Sequence, residues 1–288
     1  STARGRPPLL PVRSPRRSVY ETPPRRAMDP ATLPAAIKAD LPSGFLPPGV
    51  LPCTGGTSPC ACSSISAFSD VPSPHDLYTH VDAAWAGSAM LCEEFRSLWT
   101  GVEKADSVVL NPHKWMGTQF DLSAHFVRAP EDLTRTLAIQ PEYLKTHGKD
   151  GIINYSEWSV PLGRRFRALK LWFLFRTYGL EGLRTMLRNH VKWSEELCER
   201  FRAAPDFEII TDPVLSLFTF RYAPQSATDL DALNQNLVDR VNDDGRIYIT
   251  QTRTKGALVI RFQAGQFDAT RADVMMAYDV ITEIAATL

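Results

Sequence analysis

Residues 107–115 read SVVLNPHKW, an apolar strand followed at once by a turn that carries a histidine and a lysine. Upstream, residues 78–85 read YTHVDAAW, a second apolar strand that ends in Asp82 and two small residues. Residues 93–104 between them are predicted to be helical, so the three pieces predict a βαβ unit with parallel strands. Asp82 and Lys114 would then follow the carboxyl ends of neighbouring strands, which is the edge where open α/β sheets bind ligands.

The two side chains at this edge suit the chemistry of a pyridoxal cofactor. The pKa of a lysine falls readily when it is desolvated near other cations, and its neutral amine forms a Schiff base with an aldehyde. A carboxylate keeps the pyridine nitrogen protonated, so that the ring can accept electrons from a carbanion. Lys114 is the candidate for the first role and Asp82 for the second, with Ala83 and Ala84 leaving room for a flat ring. Taken singly, an Asp at a strand end is usually a turn cap, and a Lys after a strand is usually solvated.

The rest of the chain shows alternating helix and strand patterns. Apolar residues at 122, 124 and 126 predict a further strand, and a long helix over 162–178 is expected to stop at Gly179. Past this glycine the pattern predicts helix 183–203, strands 207–211 and 215–222, helix 228–242, strands 247–250 and 258–262, and a last helix 270–288. The second half is therefore expected to be a compact α+β domain.

Composition excludes some classes of function. The chain has 32 basic and 32 acidic residues among 288, so its neutral balance gives no reason to expect nucleic acid or an anionic membrane as a partner. No apolar run is long enough for a membrane span, and the N-terminus has no apolar signal core. The five cysteines are odd in number, and Cys60-Ala61-Cys62 lacks a second pair at zinc-ligand spacing, so we expect no metal site. A soluble cytoplasmic protein with reduced thiols is the expectation.

The first 74 residues differ in composition from the rest. Residues 1–27 are rich in Pro and Arg, and we predict that residues 1–44 are a disordered or artefactual arm. A basic arm could also contact RNA or an acidic partner, or act as an Arg-rich targeting peptide. Residues 41–74 are dense in Pro, Ser, Gly and Cys, which argues against regular structure there.

Several stretches closely resemble the group II pyridoxal-phosphate-dependent amino-acid decarboxylases, in their aromatic-L-amino-acid decarboxylase branch. The resemblance covers residues 45–288 and is carried by residues 80–89, 111–115, 140–145, 161–167, 169–173 and 258–262. It implies an α/β chain with an incomplete large domain of the type I pyridoxal phosphate fold, that of aspartate aminotransferase, over 45–178. A small C-terminal α+β domain over 179–288 would follow.

The resemblance also implies roles for individual residues around the cofactor. Lys114 would form the Schiff base, Asp82 would pair with the pyridinium, and Ala84 would pack on the ring. Thr57, in a turn similar to the family's Gly-Thr-Thr-Ser, would hydrogen-bond near the ring. Asn111 and His113 resemble residues near the cofactor phosphate, although His113 could equally be a structural hydrogen-bonding residue.

Three more residues concern the substrate and the reaction. Tyr143, on a loop over 137–153, resembles the tyrosine that protonates the α-carbon after carbon dioxide leaves. A Phe there marks relatives that form aldehydes oxidatively, so decarboxylation is favoured. Phe120 resembles a residue near the substrate ring, though a core phenylalanine is the more ordinary interpretation. Gly163 resembles a pocket glycine contributed by the partner subunit, and it could also be a simple loop glycine.

Two hypotheses follow from this reading. In the first, the chain is the C-terminal part of an aromatic amino-acid decarboxylase that is catalytic as a full-length homodimer. The family's polypeptide has a further N-terminal part with the phosphate loop and the histidine stacked on the ring, and we expect a truncated chain or a partial gene product here. In the second hypothesis the chain is non-catalytic and acts at most as a binding or dimerising fragment.

Overall fold

The computed structural model describes residues 30–40, 42, 49–55, 64–69, 77–138 and 153–288. Within these ranges the strands form two four-stranded sheets. The first sheet carries Asp82 and Lys114 at its edge, and the second belongs to the C-terminal half of the chain. Two predicted site residues, Thr57 and Tyr143, lie outside the described residues.

The chain enters the described region through a 3-10 turn, Pro30–Thr32, and helix α1, Leu33–Asp40. Ile37 on this helix is buried. The prediction of an unstructured arm is therefore wrong for residues 30–40, which form a 3-10 turn and a helix. Residues 1–29 lie outside the described part of the chain.

The first sheet has the order β1-β2-β3-β4. Its strands are β1, Gly49–Val50, β2, Tyr78–Asp82, β3, Ser107–Leu110, and β4, Ala124–Val127. Strands β1, β2 and β3 are parallel, and β4 runs antiparallel to β3. In the β2–β3 register Asp82 lies beside Val109, so the predicted parallel pair is confirmed. Alternate residues of β2 are buried, as expected for a strand that covers a core on one face.

Residues 49–55 and 65–69 have more regular structure than their composition predicted. Besides β1, Cys53 makes a parallel bridge to Asp82, and helix α2 spans Ile65–Ser69. Pro52 is compatible with pairing because its carbonyl accepts the Asp82 N–H at 3.0 Å. A proline lacks only the donor, and β1 is at the edge of the described sheet, where that donor is not needed.

The connection from β2 to β3 is not the continuous helix predicted over 93–104. It consists of three 3-10 helices, Ala86–Leu91, Glu93–Trp99 and Val102–Lys104. Extended backbone at Cys92 and a left-handed Gly101 separate them. A Cβ at Gly101 would lie 2.5 Å from the Ser66 backbone, so close packing against α2 overrides the local helix propensity.

After β4 the chain forms helix α3, Pro130–Leu137, a 3-10 turn, Tyr155–Trp158, and the long helix α4, Arg167–Ala203. Helix α3 was not predicted. Gly179 is non-helical, with φ 66 and ψ 172, so α4 is two helices joined at a kink. The predicted break at Gly179 is confirmed, while the first helix begins five residues later than the pattern suggested. Glycine tolerates this left-handed φ without a Cβ clash.

The C-terminal half forms an antiparallel sheet covered by helices. Its elements are β5, Phe207–Val214, β6, Leu217–Tyr222, α5, Leu230–Asp244, β7, Thr250–Thr254, β8, Ala257–Gln263, and α6, Arg271–Ala285. The strand order is β5-β6-β8-β7. Thr270 and Asp273 form a capping box at the start of α6. The predicted α+β architecture of this half is confirmed.

Two hydrophobic cores organise the described residues. The C-terminal core joins α4, α5 and α6 to the second sheet around Phe201, Phe220 and Ile281. The other core joins Val81 of β2 to Leu187 of α4. The second half of α4 thus packs against both sheets. The boundary between the two domains at 178/179 stays a prediction.

Candidate active site

The turn that carries Lys114 is held by backbone hydrogen bonds within the turn and to the segment that follows β2. The Asn111 N–H donates to the Ala84 carbonyl at 2.8 Å, and the Lys114 N–H donates to the Asn111 carbonyl at 2.9 Å. The Thr118 N–H closes the turn on the Pro112 carbonyl at 3.0 Å. The Lys114 side chain is exposed at the carboxyl edge of the sheet, where a ligand can reach it.

Asp82 ends the neighbouring parallel strand and is half-buried. One of its carboxylate oxygens accepts the Ala84 N–H at 3.0 Å, so the side chain caps its own turn. The Ala83 N–H continues the sheet by donating to the Val109 carbonyl at 3.0 Å. The predicted placement on adjacent strands is confirmed, and the pairing of Asp82 with a pyridinium stays a prediction.

Side chains of Asn111 and His113 are engaged by the residues that lead into β4. The Asn111 amide oxygen accepts the Ser123 hydroxyl at 2.6 Å. The Leu122 N–H donates to His113 Nδ1 at 3.0 Å, and the His113 N–H donates to the Leu122 carbonyl at 3.4 Å. These bonds support the structural interpretation of His113, and the role of both residues near a phosphate stays a prediction.

Two tryptophans form a flat wall beside Lys114. The rings of Trp85 and Trp115 stack with centroids 4.6 Å apart and an interplanar angle of 15°. Both are buried, and the Trp115 indole N–H donates to Nδ1 of His190 on α4 at 3.0 Å. Stacked aromatic side chains of this kind make a rigid apolar surface.

A cleft of about 330 Å³ opens at this wall. The described residues that line it are Gly55, Trp85, Lys114, Trp115, Arg261, Gln263 and Gly265. Asp82 is not among them. Strand β8 thus brings the second half of the chain to Lys114, with the Arg261 guanidinium donating to the Gln263 amide oxygen at 2.8 Å. Sequence reasoning missed Arg261 and Gln263 as site residues. The charged Arg261 inside the otherwise apolar run 258–262 could have indicated a functional role.

The residues predicted to contact substrate do not line the cleft. Phe120 is 79% exposed, so the interpretation as a core phenylalanine is wrong. Its ring lies edge-on to His113, with centroids 5.0 Å apart. Gly163 is exposed before α4, and a Cβ there would meet nothing within 4 Å. Ala84 is half-buried in the turn after β2. The substrate-binding roles of Phe120 and Gly163 stay predictions.

Gly55 is expected to be essential to the shape of the cleft. Its φ is +76, and a Cβ there would lie 2.4 Å from the Ala86 Cβ, which is fixed to buried backbone. We therefore expect Gly55→Ala to lower the free energy of unfolding by about 2 kcal/mol through backbone strain and overpacking. Urea unfolding measures this, with Gly163→Ala as the matched control at an open position. An equal effect of the two substitutions would contradict the assigned packing.

The family of the chain follows from comparison with known proteins. Residues 17–223 match the pyridoxal-dependent decarboxylase conserved domain. The chain belongs to this family of pyridoxal-dependent decarboxylases. The matched range begins before α1 and includes the predicted arm from residue 17 onward.

Individual relatives agree with this assignment. The chain is 38% identical over 267 residues to tryptophan decarboxylase TDC1 of Camptotheca acuminata, a match that covers 91% of this chain and 53% of the relative. It is also 38% identical over 264 residues to the aromatic-L-amino-acid decarboxylase of Rattus norvegicus, covering 91% and 54%. The crystal structure of Oryza sativa TDC with PLP and tryptamine superposes with a TM-score of 0.89 at 34% identity, covering 94% of this chain and 57% of that chain.

The chain spans about half the length of the curated relatives it matches. The type I fold of the resemblance is confirmed by the superposition on the rice structure. Among the residues that the structure describes, no helix is long and apolar enough to cross a membrane.

Pyridoxal phosphate is the cofactor of this family, and the described residues suit its aldehyde and its ring. The Lys114 amine is exposed in a cleft whose volume lies within the ordinary range for small-molecule sites. Gly55 and the stacked indoles line the same cleft as the amine. The Asp82 carboxylate lies at the end of the adjacent strand.

Proposed function

We propose that this chain supplies the lysine-bearing half of an enzyme that decarboxylates an aromatic L-amino acid to its amine with pyridoxal phosphate. The observation that carries the proposal is the exposed Lys114 at a cleft walled by two stacked indoles, with Asp82 at the end of the next parallel strand. Membership of the decarboxylase family supports the reaction class. Relatives named for aromatic amino acids support the substrate class.

Each residue has a defined task in this proposal. When bound, pyridoxal phosphate supplies an electron sink for the electron pair that remains after carbon dioxide leaves the substrate. Lys114 would hold the cofactor through its Nζ amine, which condenses with an aldehyde with loss of water and is set free again when the substrate amine takes its place. Asp82 would hold a proton at the pyridine nitrogen. Tyr143, which lies outside the described residues, is the candidate donor of a proton to the substrate α-carbon.

The cleft also suits the substrate by its electrostatics. The Arg261 guanidinium contributes a positive charge that favours an anionic ligand group such as a carboxylate. Trp85 and Trp115 contribute an apolar wall that favours a flat ring. Beside the Lys114 amine, the Arg261 charge and the aromatic surface together fit an aromatic amino acid.

We further propose that the full-length protein is a homodimer in the cytoplasm. Large apolar side chains are exposed around the first half of α4, and patches of this kind mark contact surfaces. They are Leu162, Phe166, Leu169, Trp172, Phe173 and Tyr178. Among the described cysteines, Cys92 and Cys198 are buried free thiols, which supports a reducing compartment.

Product analysis tests the proposed reaction. The purified chain is incubated with pyridoxal phosphate and, separately, L-tryptophan, L-tyrosine or L-dihydroxyphenylalanine. We expect amine and carbon dioxide in equal amounts from at least one of them, with no hydrogen peroxide. Aldehyde with hydrogen peroxide would indicate the oxidative reaction instead. Absence of both product and cofactor binding would favour the second hypothesis, a non-catalytic fragment.

A further inference from the structure

Trp115, the residue that follows Lys114, is anchored from the far side of the core by a single histidine. Its side chain is 1% exposed, and its indole N–H donates to His190 Nδ1 at 3.0 Å. His190 is also 1% exposed and lies on α4, seventy-five positions further along the chain. The bond therefore joins the turn of Lys114 to a distant helix.

The direction of this hydrogen bond determines the state of the His190 ring. An indole N–H can only donate, so Nδ1 is the acceptor and the ring proton is on Nε2. Nε2 has no hydrogen-bond partner among the described residues, and desolvation lowers the pKa of His190 to about 4. The ring is therefore neutral near pH 7, in the tautomer that can accept from Trp115.

The hydrogen bond between Trp115 and His190 affects two segments of the candidate site, the turn of Lys114 and the segment that follows Asp82. Lys114 itself is exposed, so burial does not fix the direction of its side chain. Its direction depends on the turn that ends in the buried Trp115 ring. Through the stack with Trp85, the same contact holds the segment that follows Asp82. One bond from α4 therefore steadies the stacked-indole wall beside Lys114.

We propose that His190 is a positioning residue for Lys114, acting through the hydrogen bond from its Nδ1 to the Trp115 indole. The inference rests on the proposed function, because the bond of Lys114 with the cofactor is what His190 serves. A role limited to core packing makes a different prediction. It lowers stability without changing the reactivity of Lys114 in the molecules that stay folded.

Chemical trapping of the cofactor distinguishes the two roles. The full chain is incubated with pyridoxal phosphate and reduced with borohydride, and the label on each lysine is counted by mass spectrometry. His190→Leu removes the acceptor and keeps an apolar side chain of similar bulk. His190→Asn keeps an oxygen acceptor near the Nδ1 position, and Trp115→Phe removes the donor while it keeps a ring. Exposed Lys192 on α4 serves as the internal reference.

We expect the ratio of label on Lys114 to label on Lys192 to fall about fivefold to tenfold in His190→Leu, as loss of one buried hydrogen bond predicts. Trp115→Phe should give the same loss, and His190→Asn should restore most of it. If His190→Leu does not fold, Trp115→Phe and His190→Asn carry the comparison. An unchanged ratio in a folded variant that lacks the bond would overturn the inference while leaving the proposed function intact.

Labelling of the wild-type chain distinguishes a failure of the proposed function from a failure of the positioning role of His190. If it shows no preference for Lys114 over Lys192, the proposed function fails and this inference fails with it.

A second measurement needs no cofactor. The Trp115 indole N–H, assigned as the NMR signal lost in Trp115→Phe, should exchange slowly with solvent. Its exchange should speed up about fivefold to tenfold in His190→Leu. Fast exchange in the wild-type chain would also overturn the inference.

Discussion

Lys114→Ala is expected to abolish covalent attachment of pyridoxal phosphate to the cleft. The substitution removes the amine that lines it, and no other described residue of the cleft lining has an amine that could form a Schiff base. We expect turnover to fall by a factor on the order of 10³ or more, as loss of a nucleophile commonly does. The measurements are the visible absorbance of the protein-bound cofactor and the borohydride-trapped label.

The matched control is Lys192→Ala, which removes another exposed amine, from α4. This control should keep both the absorbance band and the label at Lys114. Urea unfolding of both variants should match the wild-type chain, because exposed side chains contribute little to stability. A band that survives in Lys114→Ala would show that another lysine holds the cofactor, and the proposed site would be wrong.

Acid is expected to destabilise the fold through His190 by about 3 kcal/mol. Burial lowers the pKa of this histidine from 6.5 to about 4. Above pH 6.5 the ring is neutral in both folded and unfolded chains, so its effect on stability is absent. Between pH 6.5 and 4 the unfolded chain binds a proton that the folded chain excludes, so the free energy of unfolding falls with pH. Below pH 4 both states bind the proton and the loss is complete.

Urea unfolding at several pH values from 7 to 4 measures this effect, with His190→Asn as the variant that cannot titrate. His80 and His125, whose pKa values burial also lowers, destabilise the chain in the same direction. The difference between the wild-type chain and His190→Asn isolates the share of His190. Parallel pH curves for the two proteins would contradict a buried neutral histidine at this position.

The central part of the site could be predicted because its residues are close in sequence to strand ends. Asp82 and Lys114 each follow an apolar strand, and parallel strands place their carboxyl ends at one edge. His190, Arg261 and Gln263 could not be predicted in this way. They reach the Lys114 turn only because α4 and β8 pack against it, and no local pattern encodes that contact.

Errors in the fold have the same origin. Residues 93–104 have a helical pattern, yet the chain is divided there by Gly101, which packs against the Ser66 backbone. Composition argued against structure in residues 41–74, yet β1 pairs with β2 and the Pro52 carbonyl accepts a hydrogen bond. In both cases packing with a neighbouring element outweighed local propensity.

The sequence by itself determined the parallel pair of β2 and β3, the break at Gly179, the α+β half and the pair Asp82 and Lys114. Each of these depends on the periodicity of apolar residues or on the dihedral freedom of one residue, which are local properties. Only the tertiary structure decided that Lys114 projects from a wall of two stacked indoles held by His190, and that Arg261 shares its cleft. These contacts join segments far apart in the chain, and burial of apolar surface between those segments is what brings them together.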